Sequence, residues 1–152
     1  MNLFTVENSG RVDIAAAVGS KDTTMFLYDV PPGGSASPYH YEFEEEWLLV
    51  VEWLLVVEGT LAVRTPGGEI ALARGDAVCF PPGPAGAHKV MNRSDAPARL
   101  VMFSRAAASG FSVYPDSNKI GVWTGESDEG LFFDRSATLS WADGEEGWEK
   151  AD

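Results

Sequence analysis

GDAVCFPPGPAGAHKVMN, residues 75–92, decides how this chain is read. Gly75 and Asp76 start a turn, AVCF has the character of a buried strand, residues 81–86 force an irregular connection, and His88 opens another strand. The same alternation continues on both sides. Upstream stand MFLYDV (25–30), PYHYEF (38–43), a repeated WLLVV and TLAVR (60–64); downstream stands ARLVMFS (98–104), with Gly, Pro and Asp between the runs. Helical spacing of apolar residues is absent over any useful length. TLAVR-TPGG-EIALA (60–73) reads as a hairpin with a Gly-Gly turn, and VMNRSDAPARLVMF (90–103) as another with a polar turn. Many short antiparallel strands in one domain predict an all-β barrel or double-sheet jelly roll, architectures that cover or remove sheet edges.

The chain has 152 residues, 45% of them hydrophobic, which is enough for one domain with an ordinary core. Its 23 acids against 11 bases give a formal charge of -12, which excludes nucleic acid and anionic membrane surfaces as partners. Nine of the acids lie at or after Glu126, opposed only by Arg135 and Lys150, so much of the excess is a solvated C-terminal segment. The single cysteine, Cys79, forms no internal disulfide and fits a reducing compartment; a buried, small apolar role is expected for it. The N-terminus lacks the pattern of a signal peptide, and the longest apolar run, residues 47–57, is too short to span a bilayer and is interrupted by Glu52. A cytoplasmic location is the expectation.

The organisation expected is an N-terminal arm (1–24), a barrel (25–105) and an acidic, aromatic C-terminal extension (106–152). In the extension, GFSVYPDSNKIGVWTG and LFFDRSATLSWADGEE hold strand-sized pieces that pack along the outside of the barrel or across a homodimer interface, and residues 145–152 look frayed. Trp123, Phe132, Phe133 and Trp141 are expected to be packing residues.

Only two histidines occur, His40 and His88. In PYHYEFEEEW, His40 and Glu42 are two apart, so on a strand both side chains leave the same face and together can bind an ion. Glu44 and Glu46 continue that parity, but four carboxylates on one inner face would repel, so a turn is expected among EFEEE and some of these acids face water.

Taken together, these stretches resemble the cupins. Their first motif is G-x5-H-x-H-x3-4-E-x6-G, and Gly34, His40, Glu42 and Glu46 fit it with Glu in place of the second His. Their second is G-x5-P-x-G-x2-H-x3-N, matched by Gly75, Pro81, Gly83, His88 and Asn92 with two extra residues before His88. The resemblance covers roughly residues 25–105 and implies a double-stranded β-helix barrel with a divalent metal held inside by residues of both motifs. His40, Glu42, Glu46 and His88 form a harder set than the family's usual three histidines, and suit Mn, Fe(II) or Ni, with Zn also admitted.

EWLLVVEWLLVVEG, residues 46–59, complicates the glutamate. One six-residue unit stands twice in tandem, as a recent or engineered duplication or an error in the recorded sequence. Counting from Glu42 reaches Glu46, whereas counting back from Gly59 reaches Glu52, so each copy satisfies one side of the motif. An even insertion preserves which face each residue takes, so either copy can fill the same strand. The short link from Glu42 favours Glu46, and Glu52 is its rival.

Two functions fit. The first is a metal-dependent enzyme acting on a small organic molecule by dioxygenation, isomerisation or decarboxylation, with Glu42 a fourth ligand or a base. The second is a non-catalytic barrel that senses or stores a small ligand. No inward Lys or Tyr is identifiable from sequence that would mark a sugar isomerase or epimerase, and Arg64 and Arg99 would bind an anionic substrate only if they faced inward.

Overall fold

A computed structural model describes residues 10–43, 52–106, 109–124 and 130–147. Within them lie twelve strands and one short helix. In chain order these are β1 (Arg11–Asp13), α1 (Ile14–Ala17), β2 (Thr23–Val30), β3 (Tyr41–Phe43), β4 (Glu52–Glu58), β5 (Thr60–Thr65), β6 (Gly68–Ala73), β7 (Ala77–Phe80), β8 (Lys89–Met91), β9 (Ala98–Arg105), β10 (Gly110–Tyr114), β11 (Lys119–Trp123) and β12 (Leu131–Asp134). They form three antiparallel sheets, ordered β1-β2-β9-β4-β7, β12-β11-β10-β3 and β6-β5-β8. The fold is the all-β jelly roll that the punctuation of the sequence predicts. Among the described residues no helix is long and apolar enough to cross a membrane.

Alternation makes the core. Along β4, Leu54 and Val56 point inward and are fully buried; they meet Leu100 and Met102 of β9, Val30 of β2, Phe80 of β7, and Leu61, Val63, Leu72 and Val90 of the three-stranded sheet. The opposite face of β4 presents Trp53, Leu55 and Val57, 39–50% exposed, beside Phe103. The second copy of the repeat is therefore the one that forms this strand, and the first lies outside the described residues. The strand ends where the motif asks: Gly59 has φ 75°, and a Cβ there would sit 2.9 Å from the Pro97 carbonyl oxygen.

The hairpin expected over residues 60–73 is present, with Thr65 opposite Gly68. The one expected over residues 90–103 is not, because β8 pairs with β5 whereas β9 pairs with β2 and β4. Asn92 explains the difference. Its buried amide donates to the carbonyls of Val30 (2.9 Å) and Ala96 (2.7 Å) and accepts from Ser94 N (2.9 Å), which holds the link as a crossing between two sheets.

Cys79 is exposed, contrary to the burial expected. On β7, Phe80 is buried and Val78 partly so, which leaves Cys79 on the outer face opposite Trp53. The C-terminal extension does more than lie alongside: β10 pairs with β3, so the sheet carrying the first motif is completed by residues 110–134. Its aromatics are only partly packed. Trp123 meets Phe132 edge-on, but Phe132 and Phe133 are each 54% exposed and Trp141 75%.

Candidate metal centre

The two motifs meet through their backbones. His40 N donates to His88 O (3.1 Å) and His88 N to His40 O (2.8 Å), an antiparallel bridge that sets the two imidazoles with ring centres 4.8 Å apart. Gly83 N donates to Glu42 O (2.8 Å) and ties the proline loop to β3. The two residues that exceed the family spacing fall in this loop, which closes through a short 3-10 turn at Pro84–Gly86. Gly86 is required: a Cβ there would run into the Pro81 carbonyl oxygen.

That loop also fixes a tautomer. His88 Nδ1 lies 2.9 Å from Gly86 O, and His40 Nδ1 lies 2.9 Å from Pro38 O. A carbonyl only accepts, so both Nδ1 atoms carry the proton, and in the neutral rings both Nε2 atoms present lone pairs. Burial, reinforced by the neighbouring His88, lowers the pKa of His40, so its ring stays neutral. Phe80 stacks on His88 at 3.7 Å between ring centres, and Tyr114 stacks on His40 at 5.8 Å.

Glu52 completes the set. One donor atom each from His40, Glu52 and His88 lies within 4.8 Å of the others, and the three could hold a metal ion. Glu52 Oε2 and His88 Nε2 stand 3.2 Å apart, yet neither buried atom has a hydrogen-bond partner. Two buried acceptors facing each other are costly unless a cation or proton sits between them. The residues therefore fit a divalent ion, with both imidazoles oriented by second hydrogen bonds as metal-bound histidines usually are.

Glu42 stands at the rim. Its Oε1 is 3.8 Å from His40 Nε2 and accepts the Ser112 hydroxyl at 3.3 Å, while the side chain is 41% exposed. Glu46 lies outside the described residues. Arg64 and Arg99 pair with Asp116 and Asp29, and neither lines the cavity beside the histidines.

A cavity of about 280 Å³ opens from this cluster, close to the lower end of the size range of small-molecule sites. His40, Glu42 and Glu52 line one part of it; Arg11, Phe26, Tyr28, Arg105 and Trp123 are among the residues lining the rest. Sequence reasoning missed this wall. Tyr28 faces inward after all, and burial raises its pKa, so it remains a phenol. Ser112 and Trp123 arrive from the extension through the β10–β3 pairing, for which no local spacing gives a signal.

A jelly-roll barrel with histidines of two motifs converging on one carboxylate defines the class. The cupin-domain family model matches residues 26–104, and the chain belongs to the cupins. Among solved structures it is similar to a sugar phosphate isomerase of the cupin superfamily from Silicibacter pomeroyi, at 26% identity and TM-score 0.74 over 88% of this chain and 82% of that one. It is also similar to a protein from Acidithiobacillus ferrooxidans provisionally named a sugar phosphate isomerase, at 21% identity and TM-score 0.74 over 86% and 78%. A cupin protein from Bacteroides fragilis follows at 18% identity and TM-score 0.58, over 70% and 84%. A search of curated proteins finds no match.

Proposed function

We propose that this protein is a metal-dependent enzyme that isomerises a phosphorylated sugar. The observation that carries the metal is the facing pair of buried acceptors, His88 Nε2 and Glu52 Oε2, with Glu52 and His40 lining the cavity beside them. The reaction class is supported by the name of the 26%-identical relative, and by an inward phenol and a rim carboxylate beside the centre. Two imidazoles and a carboxylate suit Mn, Fe(II), Ni or Zn. Such an ion, when bound, supplies Lewis-acid polarisation of a carbonyl and its neighbouring hydroxyl.

The chain's own residues supply the rest. Glu42, held by Ser112, is the base that takes the proton from the carbon beside the carbonyl and returns it to the former carbonyl carbon, while the proton of the neighbouring hydroxyl passes to the carbonyl oxygen, a transfer that needs no oxidant. Phe43, Phe111 and Trp123 line the cavity and exclude water from part of it. A second copy of the chain is the partner expected at the outer face of β4, where Trp53, Leu55 and Val57 stay exposed beside Phe103; Trp53→Glu should then shift the sedimenting species from dimer to monomer.

The test is metal-loaded protein with pentose and hexose phosphates in heavy water, followed by proton NMR. Loss of the signal of the proton next to the carbonyl supports the reading, and Glu42→Gln should slow exchange by about 10²–10⁴-fold while the metal stays bound. Binding of a sugar phosphate with no exchange on any substrate would replace the enzyme with a ligand-binding barrel.

A further inference from the structure

We propose that the cavity carries, away from its histidines, a phosphate subsite anchored by Arg11 and assisted by Arg105. It deepens the reading above, and rests on it for the identity of the sugar but not for the phosphate.

Of the seven arginines of this protein, Arg74 and Arg135 do not line the cavity, and the other five fall into two groups. Arg64, Arg93 and Arg99 each bind a carboxylate through two nitrogens, on Asp116, Glu69 and Asp29, and none of them lines the cavity that opens from the histidines. Arg11 and Arg105 line that cavity and have no carboxylate partner among the described residues. In a chain of net charge -12, these two guanidiniums balance the two carboxylates, Glu42 and Glu52, that line the same cavity.

Arg11 is also positioned. It lies opposite Tyr28 in the β1–β2 register, its Cζ sits 3.8 Å over the Phe26 ring, and its Nε donates to Tyr28 Oη at 3.2 Å. Stacking uses the face of the guanidinium and the phenol uses Nε. The two terminal nitrogens have no partner among the described residues, and they form a fixed fork of the geometry that suits phosphate oxygens. Hydroxyls line the same wall. Thr24 and Ser104 are cross-strand partners with their oxygens 2.6 Å apart, and Ser109 follows beyond Arg105.

The span fits one substrate. β4, carrying Glu52, is separated from β2, carrying Phe26, by β9 alone. Two strand spacings are about 10 Å, the reach of an extended pentose or hexose phosphate with its carbonyl end at the histidines.

The test is calorimetric titration at low salt with inorganic phosphate, sorbitol 6-phosphate and sorbitol, on wild type, Arg11→Gln, Arg11→Lys and Arg105→Gln. Wild type should prefer sorbitol 6-phosphate to sorbitol. Arg11→Gln should weaken sorbitol 6-phosphate by about tenfold to a hundredfold, Arg11→Lys by less, and Arg105→Gln by least, with metal content unchanged in all. Because Arg11 is exposed on an edge strand, folding should survive, and the lysine variant checks this independently. Equal binding of sorbitol 6-phosphate by wild type and Arg11→Gln, or equal behaviour of sorbitol and its phosphate on wild type, overturns the subsite. The two proposals fail separately. Arg11-dependent phosphate binding without isomerisation retires the reaction, whereas isomerisation of sugar phosphates with KM unchanged in Arg11→Gln retires the subsite.

Discussion

Two parts of one cavity use opposite hydrogen-bonding logic. At the histidines every ring N–H is already donated to a carbonyl, and what converges is a set of lone pairs on His40, His88 and Glu52. At the arginine wall the lining is rich in donors, on Arg11 and Arg105, with Thr24 and Ser104 alongside. A group of acceptors asks for a cation, and a group of donors asks for an anion. The comparison also separates two kinds of assembly. The acceptor set comes mainly from two short segments joined by a backbone bridge, whereas the donor set is gathered by register from strands far apart in the chain.

The comparison is broken most severely at the acceptors. His88→Ala should lower metal affinity by well over the roughly 10–100-fold that outer-shell changes cost, read as metal retained after dialysis; unchanged retention would remove His88 from the set. Metal at about 100 times its Kd should stabilise the wild type by about 2.7 kcal/mol, seen as a rise in Tm that His88→Ala abolishes. A smaller effect sharpens the donor side. Arg64→Gln, which removes an arginine already paired with Asp116, should leave phosphate binding and metal content as in wild type, in contrast to Arg11→Gln. The smallest effect is one of pH. The Arg64 hydrogen bond lowers the pKa of Asp116, so this exposed pair contributes only when Asp116 is ionised. Its slight contribution is full above the ordinary carboxylate range and is lost as pH falls through the depressed value; a melting series in acid should show the wild type losing its small advantage over Arg64→Gln there.

Much of the fold was legible because turn residues and alternation are local. The hairpin at residues 60–73 and the irregular loop at 81–86 follow from Gly and Pro alone. The crossing at Asn92 was not legible, since a polar turn between two strands reads the same whether they pair or enter different sheets; the side-chain bonds of Asn92 decide it. Cys79 went outward because parity on β7 is set by Phe80. At the site, His40 and His88 were read from spacing, and the structure brings them together. The repeated unit left the glutamate open. Spacing from Gly59, which is pinned against Pro97, selects Glu52, and spacing from Glu42 selects Glu46, which lies outside the described residues. The arginine wall had no motif at all, because Arg11, Tyr28 and Arg105 meet only through the β1-β2-β9 pairing.

The most direct test of the central claim is metal content, measured by mass spectrometry on wild type, Glu52→Gln and Glu46→Gln purified alike and loaded with Mn, Fe(II), Ni or Zn. One ion per chain in wild type and Glu46→Gln, with loss in Glu52→Gln, is the result predicted by the His40, Glu52 and His88 centre. Retention in Glu52→Gln, or no ion in wild type with any of the four metals, would contradict it.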